Sequence, residues 1–284
     1  MTITRSPYTI GCNVIDPLLQ VGPGSDYDMP ITQRSLEFLA QCGFDAVEFS
    51  HCQHWTDEQL EQVRAMAHSA GIGVWSIHAW RTDDIRTEEG AAAVQAMLSR
   101  AVDIAAGLGA GVIVHHPVGM SVDQENGSLL PREAQIIRAA WRSGVRFAVE
   151  NLKDVPQMQY IIALADELGA QVAGRCVDTG HANIEHADTS GRLDAARAIR
   201  MAGTRLITTH VQDNEGYSDQ HMAPGDGSID WDDVAAALRE VGYEGCLMLE
   251  LTDHPSEDRV PHIQQELRGA AETARTLAAL AFGP

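Results

Sequence analysis

Apolar residues recur along the chain in one rhythm, repeated eight times. Each repeat is a short β-branched or apolar run, a polar loop, and a stretch with apolar residues at three- and four-residue spacing. The runs Tyr8–Val14, Phe44–Ser50, Gly73–Ala79, Gly111–His116, Val145–Asn151, Val172–Asp178, Arg205–Val211 and Cys246–Leu251 read as strands. Between them, stretches such as Asp57–Ser69, Ala91–Leu108, Pro156–Leu168 and Val234–Val241 read as amphipathic helices. Gly43, Gly71, Gly144, Gly203 and Gly242 each precede a strand, and are expected to close helices because glycine accepts the left-handed conformation. Strands alternating with helices predict parallel β-structure wrapped by helices, and eight units without a break in composition predict closure. The expected fold class is α/β, a single (β/α)8 TIM barrel with residues 1–284 forming one domain; such barrels run near ~250 residues. A doubly wound open sheet is the competing architecture, but no GxGxxG follows the first strand and no GxxxxGK[ST] occurs anywhere.

Composition narrows the partners. The net charge is −20, and Lys153 is the sole lysine. Nucleic-acid affinity rests on Lys and Arg displacing counterions from phosphates, so a body this acidic argues against nucleic acid and against anionic membranes. No window approaches the ~18 consecutive apolar residues of a membrane span. Five scattered cysteines, Cys12, Cys42, Cys52, Cys176 and Cys246, read as reduced thiols, and Met1–Pro7 lacks an apolar signal-peptide core. Both point to a cytoplasmic protein.

Acids and histidines gather where the predicted strands end, which in a barrel is the catalytic face. Strand two carries Glu48 and strand three His78; strand four runs into His115-His116-Pro117 and strand five into Glu150-Asn151. Strand six ends in Asp178-Thr179-Gly180-His181, strand seven in His210-Val211-Gln212-Asp213-Asn214, strand eight in Glu250, and the loop after strand seven adds Asp219 and His221. Taken singly, a histidine here reads as hydrogen-bonded structure and an acid as a helix N-cap. Taken together, inward carboxylates from strands five, six and eight converge at one mouth, where they repel and resist ionisation. A cation removes that conflict. Oxygen ligands with one imidazole, from His210, suit Mn²⁺ best among divalent ions, with Mg²⁺, Co²⁺ or Zn²⁺ as alternatives.

The motifs Ala148-Val149-Glu150-Asn151, Val177-Asp178-Thr179-Gly180-His181, His210-Val211-Gln212-Asp213-Asn214 and Leu249-Glu250 together resemble the xylose-isomerase-like TIM-barrel superfamily. That superfamily includes sugar phosphate isomerases and epimerases, inosose-processing enzymes and the endonuclease IV group. Asp219-Gln220-His221 followed by Pro224-Gly225-Asp226-Gly227-Ser228-Ile229-Asp230-Trp231 strengthens the likeness, which covers essentially the whole chain. The resemblance implies that Glu150, Asp178, His210 and Glu250 hold a single metal and that His181 contacts substrate, with Glu48 and His116 as further substrate contacts. It also implies that His78, His116, Asp219 and His221 match additional metal-ligand positions of the endonuclease IV group, so one to three ions fit the inventory. A homodimer is carried by the resemblance alone.

The implied chemistry is metal-assisted proton transfer on a small keto sugar, sugar phosphate or keto-polyol. A cation acidifies the C–H beside a carbonyl and stabilises the enediolate. Glu150 and Glu250, three strands apart, remove and return the proton. Two readings compete: dehydration after the same proton abstraction, as in inosose or dehydroshikimate dehydratases, and zinc phosphodiester hydrolysis of the endonuclease IV kind. Three outer features complete the expectation. The loop Ile15–Thr32 reads as a lid over the mouth. Trp55, Trp80 and Trp231 read as either core or an aromatic wall for a sugar ring. Arg81, Lys153 and Arg259 are the candidate phosphate cations. Some ketose epimerases carry a substrate-binding arginine after strand seven, whereas this chain has none between His210 and Trp231.

Overall fold

The computed structural model describes residues 8–14, 27–79, 83–122, 128–184, 193–251 and 260–283. Eight strands form a closed parallel barrel in chain order: β1 (Ile10–Asn13), β2 (Ala46–Ser50), β3 (Gly73–Ala79), β4 (Val112–His115), β5 (Arg146–Glu150), β6 (Ala173–Asp178), β7 (Leu206–Val211) and β8 (Leu247–Leu249). The helices around it are α1 (Met29–Cys42), α2 (Asp57–Ala70), α3 (Glu88–Leu108), α4 (Val118–Val122), α5 (Leu130–Ala140), α6 (Val155–Leu168), α7 (Thr179–Asn183), α8 (Ala195–Ala202), α9 (Trp231–Glu240) and α10 (Val260–Phe282). This is the expected (β/α)8 TIM barrel.

Short polar side chains decide where the helices begin. Asp28, Thr56, Thr87, Asp154, Asp178, Asp194 and Asp230 each accept a hydrogen bond from a backbone N–H of the following first turn. Thr56 and Gln59 form a reciprocal capping box at α2. At the other end, Gly43, Gly71 and Gly109 close α1, α2 and α3 in the left-handed region. Gly144 does not close a helix: α5 stops at Ala140, where Trp141 is already extended. By length and composition α3 could cross a membrane, yet its Val94, Leu98, Ala101 and Ala105 face is buried in the core that wraps the barrel.

The barrel interior has two layers. A lower plug of Val112, Val114, Ala148 and Cys176 packs with Trp75 and Ile207. Trp75 spans the lumen, its Nε1–H donating to Thr208 Oγ1 on β7 at 3.1 Å. Above the plug the inward positions turn polar. Two register slips accompany this change. Between β2 and β3 the pairing steps from Val47↔Val74 to Glu48↔Ser76, skipping Trp75. Between β6 and β7 it steps from Arg175↔Leu206 to Cys176↔Thr208, so that Asp178 lies beside His210. Such bulges re-aim side chains next to active sites.

Candidate metal centre

Glu150 and Asp178 are the last residues of β5 and β6, His210 lies near the end of β7, and Glu250 follows β8. One donor atom from each lies within 4.8 Å of the other three. His210 Nδ1 is 2.9 Å from both Glu150 Oε1 and Glu250 Oε2. A single imidazole proton cannot satisfy both, and Glu150 Oε2 and Glu250 Oε2 are buried without a hydrogen bond. Buried acceptors in such excess are costly. Three carboxylates and one imidazole aimed at one point are the donor set of a divalent cation, and the residues present fit one.

The charge states agree. Burial pushes Asp178 up to about 7, aided by Glu250, Glu150 and Asp219 and opposed by His181. Burial also works against the Glu150 carboxylate, but His116, His210 and His78 outweigh it and hold the group at about 2. Glu250 is likewise held well below the carboxylate range, because His210 outweighs its burial. His210 itself is buried, yet Glu150, Glu48 and Glu250 keep it well above the ordinary imidazole value. The pocket attracts positive charge.

Each letter of the Asp-Thr-Gly-His motif has a geometric reason. Asp178 accepts the His181 backbone N–H on Oδ1 at 2.6 Å, capping α7, and Gln212 Nε2–H on Oδ2 at 3.2 Å. The helix-cap reading of Asp178 thus holds, and the same side chain stands in the cluster that could hold a metal. Thr179 Oγ1–H donates to the Gln212 carbonyl at 2.6 Å. Gly180 leaves room for the Gln212 side chain, which a Cβ would meet at 2.3 Å. His181 sets Nδ1 against the Asn151 carbonyl at 3.1 Å and Nε2 against Asp219 Oδ2 at 3.2 Å. Burial opposes its charge, but Asp178, Asp219 and Glu150 prevail and raise it to about 10.

The outer histidines divide into two groups. His116 Nε2 is 3.1 Å and His78 Nε2 3.5 Å from Glu150 Oε2, and donor atoms of these three residues also lie within 4.8 Å of one another. On the other side, Asp219 Oδ2 stands between His181 and His221, 3.3 Å from His221 Nε2. The His221 backbone is left-handed, with φ of 49°, a strained conformation for a non-glycine residue. It is held by its N–H to Gln212 Oε1 and by Nδ1 against the Glu250 carbonyl. Glu48 is fully buried; its carboxylate meets Ser76 Oγ at 2.6 Å and His210 Nε2 at 3.1 Å. Asn151 and Gln212, which support these groups, stand in the sequence motifs without an assigned role, and Ser76 is not singled out by the sequence, since a neutral polar residue carries no charge signal.

Of the three tryptophans expected as core or aromatic wall, two are described. Trp55 is core, packed edge-on against Tyr27 and Phe49. Trp231 donates Nε1–H to Asp213 Oδ2 at 2.8 Å. Trp80, Arg81, Arg259 and most of the Ile15–Thr32 loop lie outside the described residues. Asp213 also accepts from the backbone of Asn214, Gly225 and Ile229, so it pins the loop that follows β7. Asp213→Ala strands these donors and should cost about 3 kcal/mol in urea unfolding.

The turn that carries His116 rests on a second buried acid. Glu133 of α5 accepts from Val118 N at 2.6 Å, Gly119 N at 3.1 Å and Tyr160 Oη at 2.8 Å. Burial pushes its carboxyl from 4.5 to about 7. The folded protein therefore holds this proton more tightly than the unfolded chain, and stability is lost as pH rises from about 4.5 through 7. Glu133→Gln removes that slope. The parent minus variant stability should fall by about 3 kcal/mol between pH 4.5 and 8.

A closed eight-stranded parallel barrel with acid and imidazole side chains gathered at the strand ends defines a (β/α)8 barrel with a candidate metal site at its mouth. Residues 36–279 match the sequence profile of the xylose isomerase-like TIM barrel family, and the chain belongs to that family. The D-psicose 3-epimerase of Enterocloster bolteae is 25% identical over 240 residues, covering 77% of this chain and 76% of the relative. Among solved structures, D-allulose 3-epimerase from Methylomonas sp., in complex with D-allulose, superposes with a TM-score of 0.71 at 18% identity, over 95% of this chain and 96% of the other. A xylose isomerase-like TIM barrel protein from Mycobacterium smegmatis, in complex with magnesium, gives 0.69 at 15% identity over 97% of both chains.

Proposed function

We propose that this protein is a divalent-metal-dependent isomerase or epimerase of a small keto sugar or keto-polyol, moving a proton through an enediolate. The observation that carries the reading is the convergence of Glu150, Asp178, His210 and Glu250 within 4.8 Å at the barrel mouth, in a chain related to ketose 3-epimerases. These four residues would hold a divalent cation, Mn²⁺ being best suited to the donor set, and its charge would acidify the C–H beside a bound carbonyl and stabilise the enediolate. Glu150 and Glu250 come from β5 and β8, on different sides of His210, and serve as the two bases. Glu150, held ionised by its three imidazoles, takes the proton; Glu250, having first taken a proton from solvent, gives it to the other face of the planar enediolate, and Glu150 then returns its proton to solvent. His181, charged and anchored by Asp219 and Asn151, orients the substrate oxygens. His116 stands beside Glu150 as a further contact.

The test is turnover of the Mn²⁺-loaded protein in D₂O against a panel of ketoses, keto-inositols and their phosphates, with products identified by NMR. An epimer or aldose isomer carrying one deuterium at the carbon next to the carbonyl is expected. An enone or diketone product, or turnover without deuterium uptake, would defeat the isomerase reading.

A further inference from the structure

We propose that Glu48 and Ser76 form a positioning pair that fixes the ring of His210, so that its Nδ1 faces the metal donors while its Nε2–H is held from behind. This rests on the assignment of His210 as a metal ligand. The geometry starts from the ring's two nitrogens. Nδ1 faces Glu150 Oε1 and Glu250 Oε2, both at 2.9 Å. Nε2 points the opposite way, 3.1 and 3.2 Å from the two Glu48 oxygens. An imidazole that donates Nε2–H to a carboxylate keeps its Nδ1 lone pair free for a cation, and the carboxylate makes that nitrogen a stronger donor.

Glu48 is placed for this task, with His78 Nδ1 farther off, 3.9 Å from Oε1. It reaches His210 across the lumen, from β2 to β7, and no part of it is exposed. Its second interaction is the Ser76 hydroxyl, which donates to Oε2 at 2.6 Å. That contact exists because of the register slip between β2 and β3. An unbroken ladder would set Trp75 opposite Glu48, whereas the slip sets Ser76 there. Trp75 then turns into the barrel and ties β3 to β7 at Thr208, two residues before His210. The bulge thus fixes the width of the lumen below His210 and supplies the hydroxyl that steadies its carboxylate.

The measurement is Mn²⁺ binding, followed by the EPR signal of the free ion, with circular dichroism of the metal-free proteins as the folding control. Glu48→Gln keeps the shape but removes the charge, and should weaken Mn²⁺ binding by about 10- to 100-fold. Ser76→Ala leaves the carboxylate in place but frees it to turn, and should weaken binding severalfold. Should Glu48→Gln not fold, Ser76→Ala decides alone. In a His210→Gln background either change should shift affinity by less than about twofold, because each acts only through that ring. A general loss of packing would reduce binding in both backgrounds. Unchanged affinity in folded variants, or an equal loss with and without His210, overturns the proposal while leaving the metal assignment intact. A second Mn²⁺ per parent chain that is lost in Glu48→Gln while the first is retained would also overturn it, since Glu48 would then serve as a ligand with His78. A parent that binds no Mn²⁺ removes both.

Discussion

Glu150→Gln should lower turnover of the true substrate by about 10³-fold, within the range that general-base catalysis contributes. The amide keeps the volume and one oxygen but cannot accept a proton from carbon. Glu150 is well prepared for the loss to be seen. It is fully buried, yet His210 at 2.9 Å, His116 at 3.1 Å and His78 at 3.5 Å keep it ionised. Steady-state kinetics on the metal-loaded variant gives the magnitude, and deuterium uptake gives the role. With two bases on opposite faces, each of Glu150→Gln and Glu250→Gln should retain exchange from one epimer only. Full turnover by metal-bound Glu150→Gln would exclude it as a base.

Removing the metal should have the second large effect. Chelation leaves Glu150, Asp178 and Glu250 crowded around His210 with no cation among them. A ligand at a hundredfold excess over its Kd stabilises the folded state by about 3 kcal/mol, so Tm should fall by roughly 6–12 °C on chelation. The effect carries a pH signature. In the metal-free protein Asp178 titrates at about 7, and a cation binds only its deprotonated form. Apparent Mn²⁺ affinity should therefore fall as pH drops through 7, by roughly tenfold per unit from this group. His210, held above its usual value, must also release a proton, which extends the dependence upward. Equal melting points with and without metal, or an affinity flat between pH 6 and 8, would contradict this.

The barrel was legible because its signal is periodic. Alternating apolar runs and amphipathic stretches located all eight strands, whereas helix starts such as the Thr56–Gln59 capping box emerged only in the structure. The mouth was legible because strand ends in a closed parallel barrel must converge, which brought Glu150, Asp178, His210 and Glu250 together from four separate motifs. Three kinds of feature were not. Gly144 looks like a helix stop, but α5 has already ended at Ala140, with Trp141 extended. The short helices α4 and α7 are single turns without a period to detect. The register slips at Val47/Glu48 and Arg175/Cys176 leave no mark in the periodicity of either strand. They decide that Glu48 faces His210 and that Trp75 crosses the barrel floor.

The most direct test of the metal assignment is anomalous diffraction from a crystal of the Mn²⁺-loaded protein. A single manganese peak per chain, in bonding contact with Glu150, Asp178, His210 Nδ1 and Glu250, is the predicted result. A peak held instead by Glu48, His78 and His116, or no peak at a saturating Mn²⁺ concentration, would contradict it.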